Sequence, residues 1–240
     1  MKAALRIAGV FLLILSFTSI SKAAQTMNTQ TLNAKQQAMV AIAAFSANGD
    51  LEKLKPALNE GLDTGLTINE IKEILVQLYA YAGFPRSLNA LETFMAVVKE
   101  RRAKGVADET GKEPGPLPTD KSSLEFGTDN QTRVVGRPVS GAIFEFAPAI
   151  DRFLKAHLFG DIFQRDNLDW QSRELATIAA LACISGLNPQ LRAHFGIGMN
   201  TGLTPAQLEA VVAVLSDRVG AEVGANAGEV LKTVLNARNN

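Results

Sequence analysis

The chain has 240 residues, and its 24 lysines and arginines balance 24 aspartates and glutamates. A chain of this length buries a hydrophobic core without disulfides, and its zero net charge gives no electrostatic argument for nucleic acid as a partner. A single cysteine, Cys183, excludes an internal disulfide and a multi-cysteine metal site. Since the only histidines are His157 and His194, a three-histidine zinc site is excluded too. We expect neither a metal nor a cofactor.

Residues 1–23 have the pattern of an export signal. A basic start precedes an apolar run from Ala8 to Phe17, and small residues end the stretch at Ala23. About ten apolar residues are typical of a secretory signal and too few to span a bilayer as a helix. We expect cleavage after Ala23 and a mature protein in the periplasm or outside the cell, the alternative being an uncleaved anchor. No other stretch approaches 18 apolar residues, so we expect no membrane contact in the mature form.

The rest of the chain repeats itself at an offset of 137 residues. Thr-Gly-Leu-Thr at 64–67 recurs at 201–204, and 12 of the 54 positions in 37–90 are identical without a gap. Four consecutive identities in an ungapped match favour a duplication over chance similarity. The sequence therefore predicts two tandem copies of one domain.

Both copies carry the same helix signals. A glycine within the shared tetrapeptide, Gly65 or Gly202, suits the end of a helix because glycine tolerates positive φ. The last threonine and the residue three positions later form a capping box in each copy: Thr67 with Glu70, and Thr204 with Gln207. Apolar residues with helical spacing follow, and no window alternates with period two. We therefore predict an all-α fold of two tandem helical domains.

Two prolines mark further boundaries. Asn188-Pro189 has the cap-and-proline pattern of a helix start. Pro56 leaves two possibilities open, because proline is tolerated in the first turn of a helix and disruptive further inside. It either kinks a helix begun at Asp50 or opens a shorter one.

A segment rich in glycine and proline separates the copies. Residues 104–138 hold nine of these residues, which is typical of an extended linker that carries no chemistry. We place the first domain at 30–103 and the second at 139–238. Five closely spaced phenylalanines lie near the start of the second domain: Phe144, Phe146, Phe153, Phe159 and Phe163. They form either the core of that domain or an apolar interface between the copies or between subunits.

Several motifs lie in a similar order in the two copies. The second copy has His-Leu-Phe-Gly-Asp-Ile-Phe at 157–163, Arg-Glu-Leu at 173–175, Leu-Arg-Ala-His at 191–194 and Asn-Thr-Gly-Leu-Thr at 200–204. The first has Asn-Glu-Gly at 59–61, Gly-Leu-Thr at 65–67 and Tyr-Ala-Gly-Phe-Pro-Arg-Ser-Leu-Asn-Ala at 81–90. Over 37–100 and 140–235 the chain resembles the carboxymuconolactone decarboxylase family, which also contains alkylhydroperoxidase D-like proteins. The resemblance implies helical domains that form homo-oligomers, with decarboxylation or thiol peroxidation as activities.

The peroxidase branch of the family needs a Cys-x-x-Cys-x-x-x-His relay. Counted back from His194, the two cysteine positions hold Leu187 and Gln190. The sole thiol, Cys183, lies in an apolar helical run where burial would raise its pKa. A one-cysteine peroxidase that uses an external thiol is therefore an alternative, and a buried Cys183 with no catalytic role is the simpler interpretation.

The decarboxylase branch needs a positioned acid/base pair and a cation for the departing carboxylate. Glu174 and His194 match the family's acidic and imidazole positions, so the resemblance assigns them the proton transfer. Arg173 or Arg192 would bind the carboxylate of a small carboxylated lactone or similar acid. The alternatives are a solvated Glu174 beside an interface histidine, and a non-catalytic oligomeric binding module.

The two copies divide these residues between them. The glutamate and histidine positions hold Gln37 and Ala57 in the first copy, whereas the Tyr-Ala-Gly-Phe-Pro turn with Tyr81 and Pro85 occurs only there. We therefore expect one composite pocket, in which Tyr81 and Pro85 contact a small-molecule substrate beside the proton-transfer pair. This hypothesis predicts one functional site per chain.

Overall fold

The structure, a computed structural model, describes residues 31–239. These residues form helices and contain no strand, which confirms the predicted all-α class. The predicted export signal, 1–23, lies outside the described residues and stays a prediction. Within 31–239 no helix is long and apolar enough to cross a membrane.

The helices are α1 (Ala34–Asn48), α2 (Leu51–Asp63), α3 (Ile68–Gln77), α4 (Tyr79–Ala82) and α5 (Phe84–Ala103) in the first copy. The segment between the copies contains α6 (Ser123–Val135), and the second copy begins with α7 (Ala142–Phe146), α8 (Pro148–Phe153) and a π-helix (Leu154–Ile162). The second copy has α9 (Trp170–Ala182), α10 (Asn188–Asn200), α11 (Pro205–Arg218) and α12 (Ala221–Asn239). Helices α2, α3 and α5 begin 137 residues before α10, α11 and α12, so the sequence repeat is also a structural repeat.

The capping boxes form in both copies. The Thr67 hydroxyl accepts from the Glu70 N–H at 3.2 Å, and the Glu70 carboxylate accepts from the Thr67 N–H at 2.7 Å. The second copy reproduces these bonds between Thr204 and Gln207 at 3.2 and 2.9 Å. The preceding glycines have φ of 91° and 105°, the left-handed region that favours glycine. These local signals fix where α3 and α11 begin.

The two proline predictions had different outcomes. Pro189 lies in the first turn of α10, as expected, but α10 begins at Asn188 and its N-cap residue is Leu187. The Asn188 side chain hydrogen-bonds Asn226 instead of capping the helix. Pro56 lies inside α2, which starts directly after Asp50 and continues to Asp63. The longer of the two proposed helices is therefore the observed one, with one fewer backbone hydrogen bond.

The core lies where α1 and α9 pack against each other. Residues 38–47 of α1 and 172–182 of α9 are buried in unbroken runs. A helix that is buried on every side must be surrounded by other helices, and the many alanines in both let their backbones approach closely. Because α1 belongs to the first copy and α9 to the second, the copies share one hydrophobic core.

Our interpretation of 104–138 as an extended linker was wrong for its second half. Residues 106–119 have no regular structure, but Ser123–Val135 forms α6. Ser122 and Glu125 make a capping box at its start, and α6 packs directly on the π-helix. The extended half docks on the first copy, where the Ile68 N–H donates to the carbonyl of Glu109 at 2.9 Å.

The five phenylalanines divide between the two interpretations. Phe159 and Phe163 are buried in a small core beside α6, as the first interpretation predicts. Phe146 and Phe153 project outward and are 86% and 64% exposed, while Phe144 is half-buried and faces a pocket. Only part of the cluster therefore stabilises the second copy.

Candidate functional site

Glu174 and His194 are hydrogen-bonded to each other. The turn between α9 and α10 folds the two helices back on one another, and Glu174 Oε2 lies 2.7 Å from His194 Nδ1. Glu174 is fully buried and His194 is 8% exposed. The alternative of a solvated Glu174 is therefore wrong, and the structure brings together the two residues that the resemblance pairs.

The hydrogen bond determines how the imidazole is oriented. An ionised carboxylate only accepts hydrogen bonds, so His194 Nδ1 carries the shared hydrogen. Nε2 has no hydrogen-bond partner among the described residues and is the nitrogen left for the pocket that His194 lines. A carboxylate behind the imidazole stabilises the imidazolium that forms when Nε2 takes up a proton. The pair is thus arranged for proton transfer at Nε2.

Tyr81 reaches this pair from the first copy. Its ring meets the His194 ring edge-on, with centroids 5.5 Å apart. The ring borders the pocket, while the hydroxyl is buried with no hydrogen-bond partner among residues 31–239. Burial and the nearby charge of Glu174 raise the pKa of Tyr81, so the phenol stays protonated. Pro85, expected beside it, is exposed and lies outside the pocket.

His194 and Tyr81 line a pocket of about 660 Å³. Its walls come from α4 of the first copy, from α9 and α10 of the second, and from the segment between α6 and the π-helix. Most lining side chains are apolar, among them Phe144, Phe159 and Ile197. Among the described residues that line it there is no aspartate or glutamate. This size and composition are those of a small-molecule site.

Neither arginine predicted for the substrate's carboxylate lines this pocket. Arg173 is fully buried on the far side of α9, where Nη2 lies 2.9 Å from Glu73 Oε1 and Nη1 donates to Gln77 Oε1. Burial lowers the pKa of Arg173, and the charge of Glu73 partly restores it. Arg192 is exposed on α10. Arg173 therefore connects the two copies, and neither arginine is placed to bind a ligand in this pocket.

The lone thiol is poorly placed for peroxide chemistry. Cys183 is half-buried at the end of α9, packs against the core and does not line the pocket. Burial raises the pKa of Cys183 to about 12, so its thiol is protonated near neutral pH. The reactive species, a thiolate, is therefore scarce.

Two pocket residues were missed because they lie in the segment taken for a linker. Gln131 on α6 and Arg137 just after it both line the pocket. The Ser122-x-x-Glu125 capping box was the sequence signal that indicated α6.

His157 lies outside the pocket, where its Nδ1 is 2.8 Å from Asp161 Oδ2 on an exposed surface. Among residues 31–239 no three histidine, cysteine, aspartate or glutamate side chains are grouped to hold a metal ion.

Comparison with known proteins agrees with the repeat. The family model described as "Carboxymuconolactone decarboxylase family" matches residues 17–94 and 148–232, once in each copy. An uncharacterized protein from Methanocaldococcus jannaschii is similar, with 27% identity over 77 residues, which are 32% of this chain and 72% of that protein. The two family matches together cover more than half of the chain. The chain therefore belongs to the carboxymuconolactone decarboxylase family and contains two tandem copies of its domain.

Proposed function

We propose that this protein is an enzyme that performs cofactor-free acid–base chemistry on a small carboxylated lactone or similar acid. One observation carries the proposal: the buried 2.7 Å hydrogen bond between Glu174 and His194 at the wall of an apolar pocket. Burying a carboxylate costs free energy unless it is paired and hydrogen-bonded, and the partner of Glu174 is the histidine that lines the pocket. Decarboxylation or a related proton transfer to carbon is the chemistry that fits this pair and the family.

The proposed steps balance without an added group. When a carboxylate leaves as CO₂, the electrons of the broken C–C bond stay on the substrate carbon. The His194 imidazolium donates its Nε2 proton to that carbon, and water returns a proton to Nε2 for the next turnover. Glu174 stabilises the imidazolium throughout, and the apolar walls exclude competing water from the carbanion.

Removing either member of the pair is expected to lower turnover. General acid–base catalysis contributes about 10²–10⁴-fold, so we expect at least about 10²-fold loss in kcat for His194→Gln and for Glu174→Gln. Both amides keep a polar atom near the lost bond, which limits misfolding. The measurement is CO₂ release from a panel of carboxylated lactones, with circular dichroism as the check on folding.

Cys183→Ser is the matched control, because Cys183 lies at the C-terminal cap of α9, the helix that carries Glu174, but outside the pocket. It is expected to retain wild-type turnover. Peroxide turnover that disappears in Cys183→Ser would instead select the thiol peroxidase. If wild type, His194→Gln and Glu174→Gln are all inactive on the panel, the protein acts as a binding module and the enzymatic proposal fails.

The homo-oligomer that the family implies has a candidate surface on α7 and α8. Ile143, Phe146, Ile150 and Phe153 are all more than half exposed in the single chain. A contiguous apolar patch of this kind marks an interface in soluble proteins. Light scattering is expected to show an oligomer for wild type and a smaller species for Phe146→Glu, while the exposed Lys55→Glu changes nothing. A monomeric wild type would contradict the proposal.

A further inference from the structure

Gln131 is largely buried at the pocket wall, and its side chain has no hydrogen-bond partner among the described residues. Its side chain is 3% exposed and comes from α6. Gln131 is one of the residues that line the pocket. An amide at a pocket wall with no protein partner is available to hydrogen-bond a water or a bound ligand. The amide therefore marks a polar position within an otherwise apolar wall.

Arg137 lines the same pocket from an exposed position. It follows the end of α6, and its side chain has no ion pair among the described residues. The end of α6 is tied to α10, because Asn200 Nδ2 donates to the Val134 carbonyl at 2.8 Å. Since α10 also carries His194, this hydrogen bond holds the Arg137 segment beside the proton-transfer pair.

The charges around the pocket favour an anion. Arg137 is the one lysine or arginine among the described lining residues, and these include no acidic side chain that would neutralise it. A guanidinium and an amide N–H₂ together offer several donors, which suits the two oxygens of a carboxylate. The facing walls are apolar and aromatic, so they suit the rest of an organic acid.

We propose that Arg137 and Gln131 form a carboxylate-binding subsite, so that the segment between the copies determines which acids enter the pocket. The ligand class is an organic acid with an apolar body, whose anchored carboxylate lies at the rim and is not the group lost in the reaction. The inference rests on the proposed function in taking this pocket as the substrate site. Arg173 and Arg192, which the resemblance offered for the departing carboxylate, lie outside the pocket.

Equilibrium binding of trans-cinnamate, compared with its neutral amide cinnamamide, tests the subsite without turnover. Wild type is expected to bind cinnamate at least about tenfold more tightly than cinnamamide, in line with hydrogen bonds to a charged group. Arg137→Gln is expected to remove most of this preference while leaving cinnamamide binding unchanged. Gln131→Leu is expected to weaken cinnamate binding several-fold. Both changes leave the helix caps intact, and circular dichroism verifies the fold.

Arg192→Gln is the matched control, since it removes the same charge from an exposed position outside the pocket. An equal loss of cinnamate binding in Arg192→Gln and Arg137→Gln would overturn the subsite, because only overall charge would then matter. Equal binding of cinnamate and cinnamamide to wild type would overturn it too. His194→Gln separates the two proposals. If it binds cinnamate normally while wild type shows no turnover, the subsite stands and the enzymatic proposal fails.

Discussion

Glu73→Gln is expected to lower the free energy of unfolding by about 3–5 kcal/mol, the usual effect of removing one partner from a buried ion pair. Glu73 and Arg173 are both buried, and their bond of 2.9 Å joins α3 of the first copy to α9 of the second. Arginine keeps its proton in proteins, so the substitution leaves a buried positive charge without a counter-ion. The measurement is urea unfolding of both proteins at pH 7.

Removing the other partner of the ion pair, Arg173, is expected to lower the free energy of unfolding by less. In Arg173→Met, Glu73 keeps the Arg165 guanidinium at 2.9 Å and the Asn167 amide at 3.1 Å. The double variant Glu73→Leu/Arg173→Met removes both charges and is expected to recover most of the loss. The exposed ion pair Lys55–Glu100 gives the surface control, and Glu100→Gln is expected to change stability little. If Glu73→Gln changes the free energy of unfolding as little as Glu100→Gln does, the buried network does not hold the copies together.

The same network predicts a pH dependence with a definite sign. Burial alone would raise the pKa of Glu73, but hydrogen bonds from Arg165 and the charge of Arg173 outweigh it, and the pKa lies below its ordinary value of 4.5. A carboxyl with a lowered pKa stabilises the fold above its unfolded pKa and loses that stabilisation as the pH falls through the folded value. The stability difference between wild type and Glu73→Gln should therefore shrink below pH 4.5. A difference that is constant down to pH 3 would contradict this assignment.

The helices of the two copies were predictable because their signals are local. A capping box spans four residues, and a glycine in the left-handed region is a property of one position. These features placed the starts of α3 and α11 and, with the 137-residue offset, the whole repeat. The pairing of Glu174 with His194 also followed, but from the family resemblance, since nothing local to either residue indicates the other.

The direction of neighbouring side chains on α9 was not predictable in the same way. Arg173 and Glu174 are adjacent in sequence, yet one points to Glu73 and Gln77 and the other to His194. The partners of Arg173 lie 96 and 100 residues away on α3, and no pattern near Arg173 reveals them. An arginine beside the glutamate proposed for catalysis therefore suggested a substrate ligand. In the structure the Arg173 side chain instead bonds to α3 of the first copy.

The pocket wall that holds the proposed subsite depends on a close contact between α6 and the π-helix at two glycines, Gly127 and Gly160. At Gly127 on α6, a Cβ atom would overlap the carbonyl oxygen of Lys155 on the π-helix and would lie 2.8 Å from the Gly160 nitrogen. At Gly160, a Cβ atom would overlap the Ser123 carbonyl. Both obstacles are backbone atoms, which cannot rotate away, so the helices must separate to admit even a methyl group.

Gly127→Ala is therefore expected to destabilise the protein by about 3 kcal/mol, at the upper end of the usual range for overpacking. The matched control is Gly228→Ala on α12, where the added methyl group meets Val212 Cγ1 at an ordinary 3.5 Å. That change should be neutral or stabilising by up to about 1 kcal/mol, because alanine favours a helix over glycine. Since Gln131 lies one turn beyond Gly127, separating α6 from the π-helix also moves the amide away from the pocket. Gly127→Ala should thus weaken cinnamate binding even at temperatures where the variant remains folded. If Gly127→Ala is as stable as Gly228→Ala and binds cinnamate as tightly, the contact between α6 and the π-helix does not shape the site.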